Sequence, residues 1–280
     1  MHMESCHKVV KDMCIKEGAA DVRFCNYRGA DTAVLFFPYG INPEEHGRET
    51  FLSGYYPVSN TAYHAANRVC AELRNRGIYA EHVTDIPARY CALKCGGHII
   101  KNGMYSHPAL GCNVHLQTVL LGEMTEEEEH ADSSLFEVCC SDCGRCAEAC
   151  PFGAVSDNGV DTEKCMRQHI MDSDIPEHLY PYLYQLFGCE RCQLCCPERV
   201  KTDLQAYSYD IRELILGKHN ADLKDICGPN MARPMRIRKQ AVILAANNGL
   251  KELLPLIESM DKTGIEKEIS YAIHRLTEDI

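Results

Sequence analysis

The chain lacks any run of about 20 uninterrupted apolar residues, so no segment fits a helical membrane span. Its start, MHMESCHKVVKDMC, lacks an apolar signal core and a cleavage site, and export is not expected. Positive charge is in deficit: 29 Lys and Arg stand against 40 Asp and Glu, a net charge of -11. That balance excludes blanket electrostatic attraction to nucleic acid, while leaving room for a local basic patch. Cysteine, by contrast, is abundant, with 18 in 280 residues. Thiols in that number, without an export signal, point away from a disulfide scaffold and toward metal ligands in a reducing cytoplasm. The rest, 45% hydrophobic and 25% charged, is ordinary globular composition, with enough chain for one large domain or two smaller ones.

Val9, Val10, Met13 and Cys14 recur at helical spacing, with Gly18 as a stop. Strand-like runs follow at Val22 to Cys25 and Thr32 to Phe37, the second ended by Pro38 and Gly40. Residues 40–58 read as a loop. Asn60 to Arg76 places Tyr63, Ala66, Val69, Cys70 and Leu73 on one helical face, closed by Gly77. A strand from Tyr79 to Val83 leads through Asp85-Ile86-Pro87 into a short helix, then the glycine-rich GGHIIKNG and an alternating strand from Val114 to Leu121. The acidic run Glu126 to His130 reads as a solvated linker or helix start. Beyond residue 204 the pattern is helical, with Leu214, Leu244, Leu250, Leu254 and Ile257 as core positions.

Half of the cysteines fall in two blocks. CCSDCGRCAEACP holds Cys140, Cys143, Cys146 and Cys150-Pro151 in the spacing C-x2-C-x2-C-x3-C-P. In that bacterial-ferredoxin run, three thiolates hold one 4Fe–4S cluster and the fourth ligates a second cluster. A second cluster needs a partner motif, and FGCERCQLCCP is the one available. By symmetry its Cys196-Pro197 donates back to the first cluster, while Cys189 and Cys192 join Cys150. The isolated Cys165 then fills the open corner. Cluster one is therefore assigned Cys140, Cys143, Cys146 and Cys196; cluster two is assigned Cys150, Cys165, Cys189 and Cys192. Cys139 and Cys195 become neighbours rather than ligands. Paired zinc sites are the competing reading, but this is not a usual zinc spacing. Cys6, Cys14, Cys25, Cys70, Cys91, Cys95, Cys112 and Cys227 mostly sit in apolar patterns and read as small buried hydrophobes.

Paired clusters store and pass electrons, so further chemistry falls to the first 130 residues. Here DIPARYCALKCGGHIIKNGMYSHPALGCNVHLQTVLLGEM, followed by the cysteine blocks, resembles the epoxyqueuosine reductases. The resemblance runs from about Val22 into the tail, where RPMRIRKQAVILAANNG is similar to the start of that family's helical region. It implies two 4Fe–4S clusters, a cobalamin, an external low-potential electron donor and a tRNA substrate carrying epoxyqueuosine. It implies Asp85 as proton donor, since an epoxide oxygen leaves only when protonated. That role requires burial to lift the carboxyl above its usual value of about 3.9; the bland alternative is a cap on the helix after Pro87. It also implies Lys101, Asn102 and the Gly111-Cys112 turn as walls of a cobalamin pocket, with Glu190, Arg191 and Gln193 facing the corrin, and matches Tyr63-His64 to a family pair that core packing explains equally well. His98, His107 and His115 are alternative ligands to cobalt, although the family uses no protein histidine there.

The expected fold is α+β: an α/β cobalamin-binding domain over residues 1–130, a ferredoxin-like double-cluster domain over 131–203, and a short helical tail over 204–280. The match departs from the family by being shorter near the N-terminus, between Pro87 and Lys101, and in the tail, and by lacking tryptophan. In the family the tail helps hold tRNA; here residues 201–280 carry 12 Lys and Arg against 12 Asp and Glu. Arg233, Arg236, Arg238 and Lys239 form its one basic cluster, enough to contact a few phosphates. Two other readings stay open: a reductase with the same cofactors acting on a small molecule or partner protein, and a plain electron carrier.

Overall fold

The computed structural model describes residues 3–125, 132–140, 143–157, 159–170, 172, 174–202 and 206–278. The acidic run Glu126 to His130 lies outside them. In chain order the first half runs α1 (Met3–Lys16), β1 (Asp21–Tyr27), β2 (Ala30–Pro38), β3 (Glu49–Phe51), α2 (Tyr55–Asn75), α3 (Ala88–Lys94), β4 (His98–Ile99), β5 (Tyr105–Ser106) and β6 (Val114–Leu120). The cysteine region holds α4 (Arg145–Glu148), β7 (Val155–Ser156), β8 (Gly159–Val160), α5 (Met166–His169) and α6 (Arg191–Leu194). The tail holds β9 (Ser208–Asp210), α7 (Ile211–Ile215), α8 (Asn220–Cys227), α9 (Pro234–Asn247), α10 (Leu254–Glu258) and α11 (Glu266–Thr277).

The main sheet has the order β1-β2-β6, with both pairings antiparallel. Its side chains alternate between two cores. Ala33, Leu35, Phe37 and Val119 pack under α1 and α2 with Val10, Cys14, Ala66, Val69 and Leu73. Val34, Phe36, Val114 and Leu120 pack against α3 with Cys91, Ala92 and Leu93. A third core joins Met166, Ile170, Leu179, Leu183 and Phe187 of the cysteine region to Leu214, Leu244, Ile257 and Leu276 of the tail. Leu250 is buried there too, and Leu254 is half-buried against it.

Four local expectations change. The sheet is antiparallel, because β1 and β2 meet in a tight hairpin through Arg28 and Gly29 rather than across a helix. α2 begins at Tyr55, five residues before the expected Asn60. Pro57 is tolerated in its first turn, where N–H groups have no helical partner anyway. Residues 79–83 form no strand; only Glu81 bridges to Leu120. Part of the expected loop at 40–58 is strand β3, which pairs with β9 and ties the first half to the tail.

Candidate functional site

The two cysteine blocks fold into short loop–helix turns that face each other across two cavities. Cys139, Cys140, Cys143, Cys146 and Cys196 line one cavity of about 170 Å³, together with Ile100, Lys101 and Asn102. Cys150, Cys165, Cys189 and Cys192 line a second, of about 80 Å³, with Asn102, Met104, Arg167, Arg191 and Gln193. A cavity needs only about 10–15 Å³ to admit one water, so both have room for a multi-atom group. The first cavity gathers the four cysteines assigned to cluster one together with Cys139, the second gathers the four assigned to cluster two, and Cys165 reaches it from the N-terminal end of α5.

The backbone is shaped to bring these sulfurs in. Phe187, two residues before Cys189, adopts φ 64, a left-handed conformation that costs a non-glycine residue about 1 kcal/mol or more. Complete burial and an N–H bond to Gln240 Oε1 at 2.8 Å hold it there. Gly188 follows, where a Cβ would lie 2.5 Å from Ser53 Cβ. Amides also point at the sulfurs: Lys101 N–H donates to Cys140 Sγ at 3.3 Å and Ala154 N–H to Cys150 Sγ at 3.4 Å. Cys196 is drawn down to about 6, first by its hydrogen bond with the Cys112 thiol, against a burial penalty, and further by backbone groups at Glu198 and Arg199. Burial pushes Cys146, Cys189 and Cys192 up, and a bound cation cluster reverses that preference by binding the thiolate.

Lys101, Asn102, Gly111 and Cys112, expected as walls of a cobalamin pocket, and Glu190 and Gln193, expected to face the corrin, lie at the joint between sheet and cysteine loops. Lys101 Nζ pairs with Asp157 at 2.7 Å. Asn102 lies between the two cavities and donates to the Cys192 carbonyl at 3.2 Å. Gly111 takes φ 69 with no room for a side chain, since a Cβ would lie 2.2 Å from the Glu198 carbonyl oxygen. Cys112 is fully buried beside Cys196. Glu190, also fully buried, accepts from Ser53 Oγ at 2.7 Å, and Gln193 accepts from Tyr39 at 2.8 Å. The glycine-rich segment therefore clamps the cysteine loops to the sheet. Arg191, expected to face the corrin, is held by Glu44 at 2.6 Å and by the Tyr182 carbonyl.

The remaining expected residues divide. Asp85 is exposed in the turn before α3, and its approach segment joins the sheet through the Glu81–Leu120 bridge and the His82–Gln117 hydrogen bond. His98 bonds Glu198 at 3.0 Å and His107 bonds Asp21 at 3.1 Å, so both serve packing. The basic cluster largely dissolves. Lys239 is buried with Asp174 and Glu268, and Arg236 donates to the carbonyls of Asn230 and Met231. Of the eight cysteines outside the blocks other than Cys165, Cys14, Cys70, Cys91, Cys112 and Cys227 are buried; Cys6, Cys25 and Cys95 are half-buried. Within the blocks, Cys139 is exposed and Cys195 bonds the Cys192 carbonyl.

The sequence did not single out a line of polar and aromatic side chains running from the second cavity across the sheet. The Arg167 guanidinium lies 4.1 Å over the Tyr55 ring. Tyr55 meets His115 edge-on at 5.2 Å, and His115 Nε2 lies 3.1 Å from Gln117 Nε2. Gln117 Oε1 meets His82 Nε2 at 2.8 Å, and His82 meets Tyr63 at 5.1 Å. Asp85 stands three residues beyond His82. Burial, then the Arg167 charge, lowers His115 to about 4, so the ring is neutral. Tyr55 and Tyr63, eight residues apart, share one face of α2; the expected loop at 40–58 hid the first of them.

Residues 139–199 match the model of a 4Fe-4S double cluster binding domain. Against solved structures, an epoxyqueuosine reductase from Bacillus subtilis superposes with a TM-score of 0.72 at 15% identity, covering 99% of this chain and 92% of that one. The chain carries a 4Fe–4S double cluster binding domain on the epoxyqueuosine reductase fold. An epoxyqueuosine reductase in complex with an epoxyqueuosine-modified tRNA-Tyr stem loop also superposes, with a TM-score of 0.67 at 15% identity over 99% of this chain and all of that one. In sequence, the epoxyqueuosine reductase of Staphylococcus aureus is 29% identical over 105 residues, 36% of this chain and 26% of that protein. The aligned segments span less than half the length of the curated relatives matched. No helix among the described residues is long and apolar enough to cross a membrane.

Proposed function

We propose that the chain is a cobalamin- and iron–sulfur-dependent reductase that removes the epoxide oxygen of epoxyqueuosine in tRNA. The observation that carries this reading is the continuity between the second four-cysteine cavity and the Tyr55–His115–Gln117–His82 line, which ends three residues before Asp85 in the chain. A corrin exceeds a drug-sized ligand and the two cysteine cavities of about 170 and 80 Å³, so it belongs on an open face. The face of Tyr55, Tyr63, His82 and Gln117 would hold it. Tyr63 is exposed there, a large ring whose apolar surface is open to such a group. When bound, cobalamin supplies a cobalt centre able to deliver two electrons to carbon. Converting the epoxide to an alkene and water consumes two electrons and two protons.

The chain's own residues have distinct parts in this scheme. The eight cysteines hold the clusters, and Asn102 keeps the two cavities at a fixed separation. Tyr55 and Tyr63 offer flat apolar surface, and Asp85 on its mobile-length turn provides a proton at the far end. Anaerobically reconstituted protein is expected to bind about eight irons and to perturb the cobalamin spectrum on titration. It should then convert epoxyqueuosine to queuosine in an anticodon stem-loop. No spectral change would remove the reductase reading; loaded protein without conversion would favour the small-molecule reading. The engagement of Lys239 and Arg236 supports that second reading, since it leaves a smaller basic surface.

The same geometry separates the basic residues. Replacing Arg233 and Arg238 with alanine should weaken stem-loop binding and flatten its salt dependence, by roughly 0.7–0.9 in logarithmic slope per lost phosphate contact. Lys239→Ala should leave the slope alone and cost stability instead, about 3 kcal/mol, by stranding the buried Glu268. Filter binding across a salt series and chemical denaturation check the two halves. An equal slope change from all three would contradict the buried position of Lys239.

A further inference from the structure

Arg167 has a setting unlike the other cations near the clusters. Its side chain lines the second cavity, two residues after Cys165. Lys101 at the first cavity is paired with Asp157, and Arg191 at the second is neutralised by Glu44. Arg167 instead stacks on Tyr55, 4.1 Å from the ring centroid, with Tyr56 5.7 Å away. Glu190 is the carboxyl in its electrostatic neighbourhood, and its bonded oxygen belongs to Ser53. Nη1 of Arg167 is buried and has no hydrogen-bond partner. A guanidinium keeps its proton under all physiological conditions, and a buried unpaired N–H is costly. The unmet donor at this cavity calls for an acceptor inside it, and the sulfurs of a cluster held by Cys150, Cys165, Cys189 and Cys192 are acceptors.

We propose that Arg167 is a positioning residue for the second cluster, donating from Nη1 to one of its sulfurs and raising its reduction potential relative to a neutral side chain. The proposal rests on the cluster assignment above and is independent of the corrin and of the substrate. Hydrogen bonds to sulfur and nearby positive charge both favour the cluster that has gained an electron. The cations lining the first cavity are Lys101, which is paired with Asp157, and Arg145, which is exposed. The pair is thereby made unequal, with the electron favoured on the side that faces Tyr55 and His115.

The test is an anaerobic redox titration of reconstituted wild-type, Arg167→Gln and Arg167→Lys proteins, followed by electron paramagnetic resonance. The Cys165→Ala protein, with cluster two removed, identifies which signal belongs to which cluster. In Arg167→Gln the midpoint of cluster two should fall by at least tenfold in the reduced-to-oxidised ratio, about 59 mV for one electron. Cluster one should stay in place, and Arg167→Lys should recover part of the shift. An unmoved cluster two with full iron content overturns the proposal, as does an equal shift of both clusters. If Arg167→Gln loses cluster two, the lysine form decides: a loaded cluster near the wild-type midpoint supports the proposal, and loss of the cluster there too overturns it. Wild-type protein that holds no second cluster refutes the cluster assignment rather than the role of Arg167.

Discussion

Replacing Cys165 with alanine is expected to halve the iron of the reconstituted protein, from about eight atoms to about four. The asymmetry between the two cavities makes this a sharp result. The first cavity is surrounded by spare sulfur: Cys139 lines it, the Cys112 thiol bonds Cys196, and the charge of Cys195 is felt with those of Cys146, Cys196 and Cys143. The second is lined by Cys150, Cys165, Cys189 and Cys192 with no fifth thiol among its lining residues. A ligand lost from the first has substitutes at hand, while Cys165 has none. Cys196→Ala should therefore keep more iron than Cys165→Ala, and Cys195→Ala should keep all of it. Iron and sulfide analysis with resonance spectra measures the outcome. Full iron in Cys165→Ala, or a loss of four in Cys195→Ala, would sink the assignment of the two sets.

The cysteine sets were readable from the sequence because cluster ligation is written in short spacings. C-x2-C-x2-C-x3-C-P leaves few ways to wrap a cube, and the isolated Cys165 was the one thiol left between the motifs. The face reaching Asp85 was not readable, because long-range pairing builds it. Arg167 meets Tyr55 across more than a hundred residues, and His82 meets Gln117 from a segment that forms no strand. Tyr55 was hidden by a helix start placed at Asn60, where the glycine and proline before it suggested loop. Antiparallel order was also out of reach, since alternating helices and strands fit a parallel sheet equally well until β1 and β2 are seen to share one hairpin. The partners of the glycines were equally out of reach. Gly111 lies against Glu198 and Val200, just after the second cysteine block, while Gly97 lies against Tyr105 and Ser106.

Asp85→Asn is expected to abolish conversion of epoxyqueuosine while leaving iron content and cobalamin binding unchanged. Acid assistance of a leaving oxygen is commonly worth 10²–10⁴-fold, roughly 3–5 kcal/mol of barrier. The amide keeps the size and hydrogen-bonding reach of the carboxyl but cannot give up a proton. The exposed position of Asp85 sharpens the expectation. An exposed carboxyl is placed to give up a proton to the substrate only where substrate and corrin cover the turn and take water away. The loss in Asp85→Asn should therefore appear in turnover of the loaded protein and not in cofactor content. Because Asp85 lies on a turn joined to the sheet by the Glu81–Leu120 bridge and the His82–Gln117 hydrogen bond, the substitution should not disturb folding, and unchanged cofactor loading checks this. Full turnover in Asp85→Asn would return the residue to an ordinary place before α3. The proton would then have to come from elsewhere on the same face, where His82, bonded to Gln117, is the nearest titratable group along the chain.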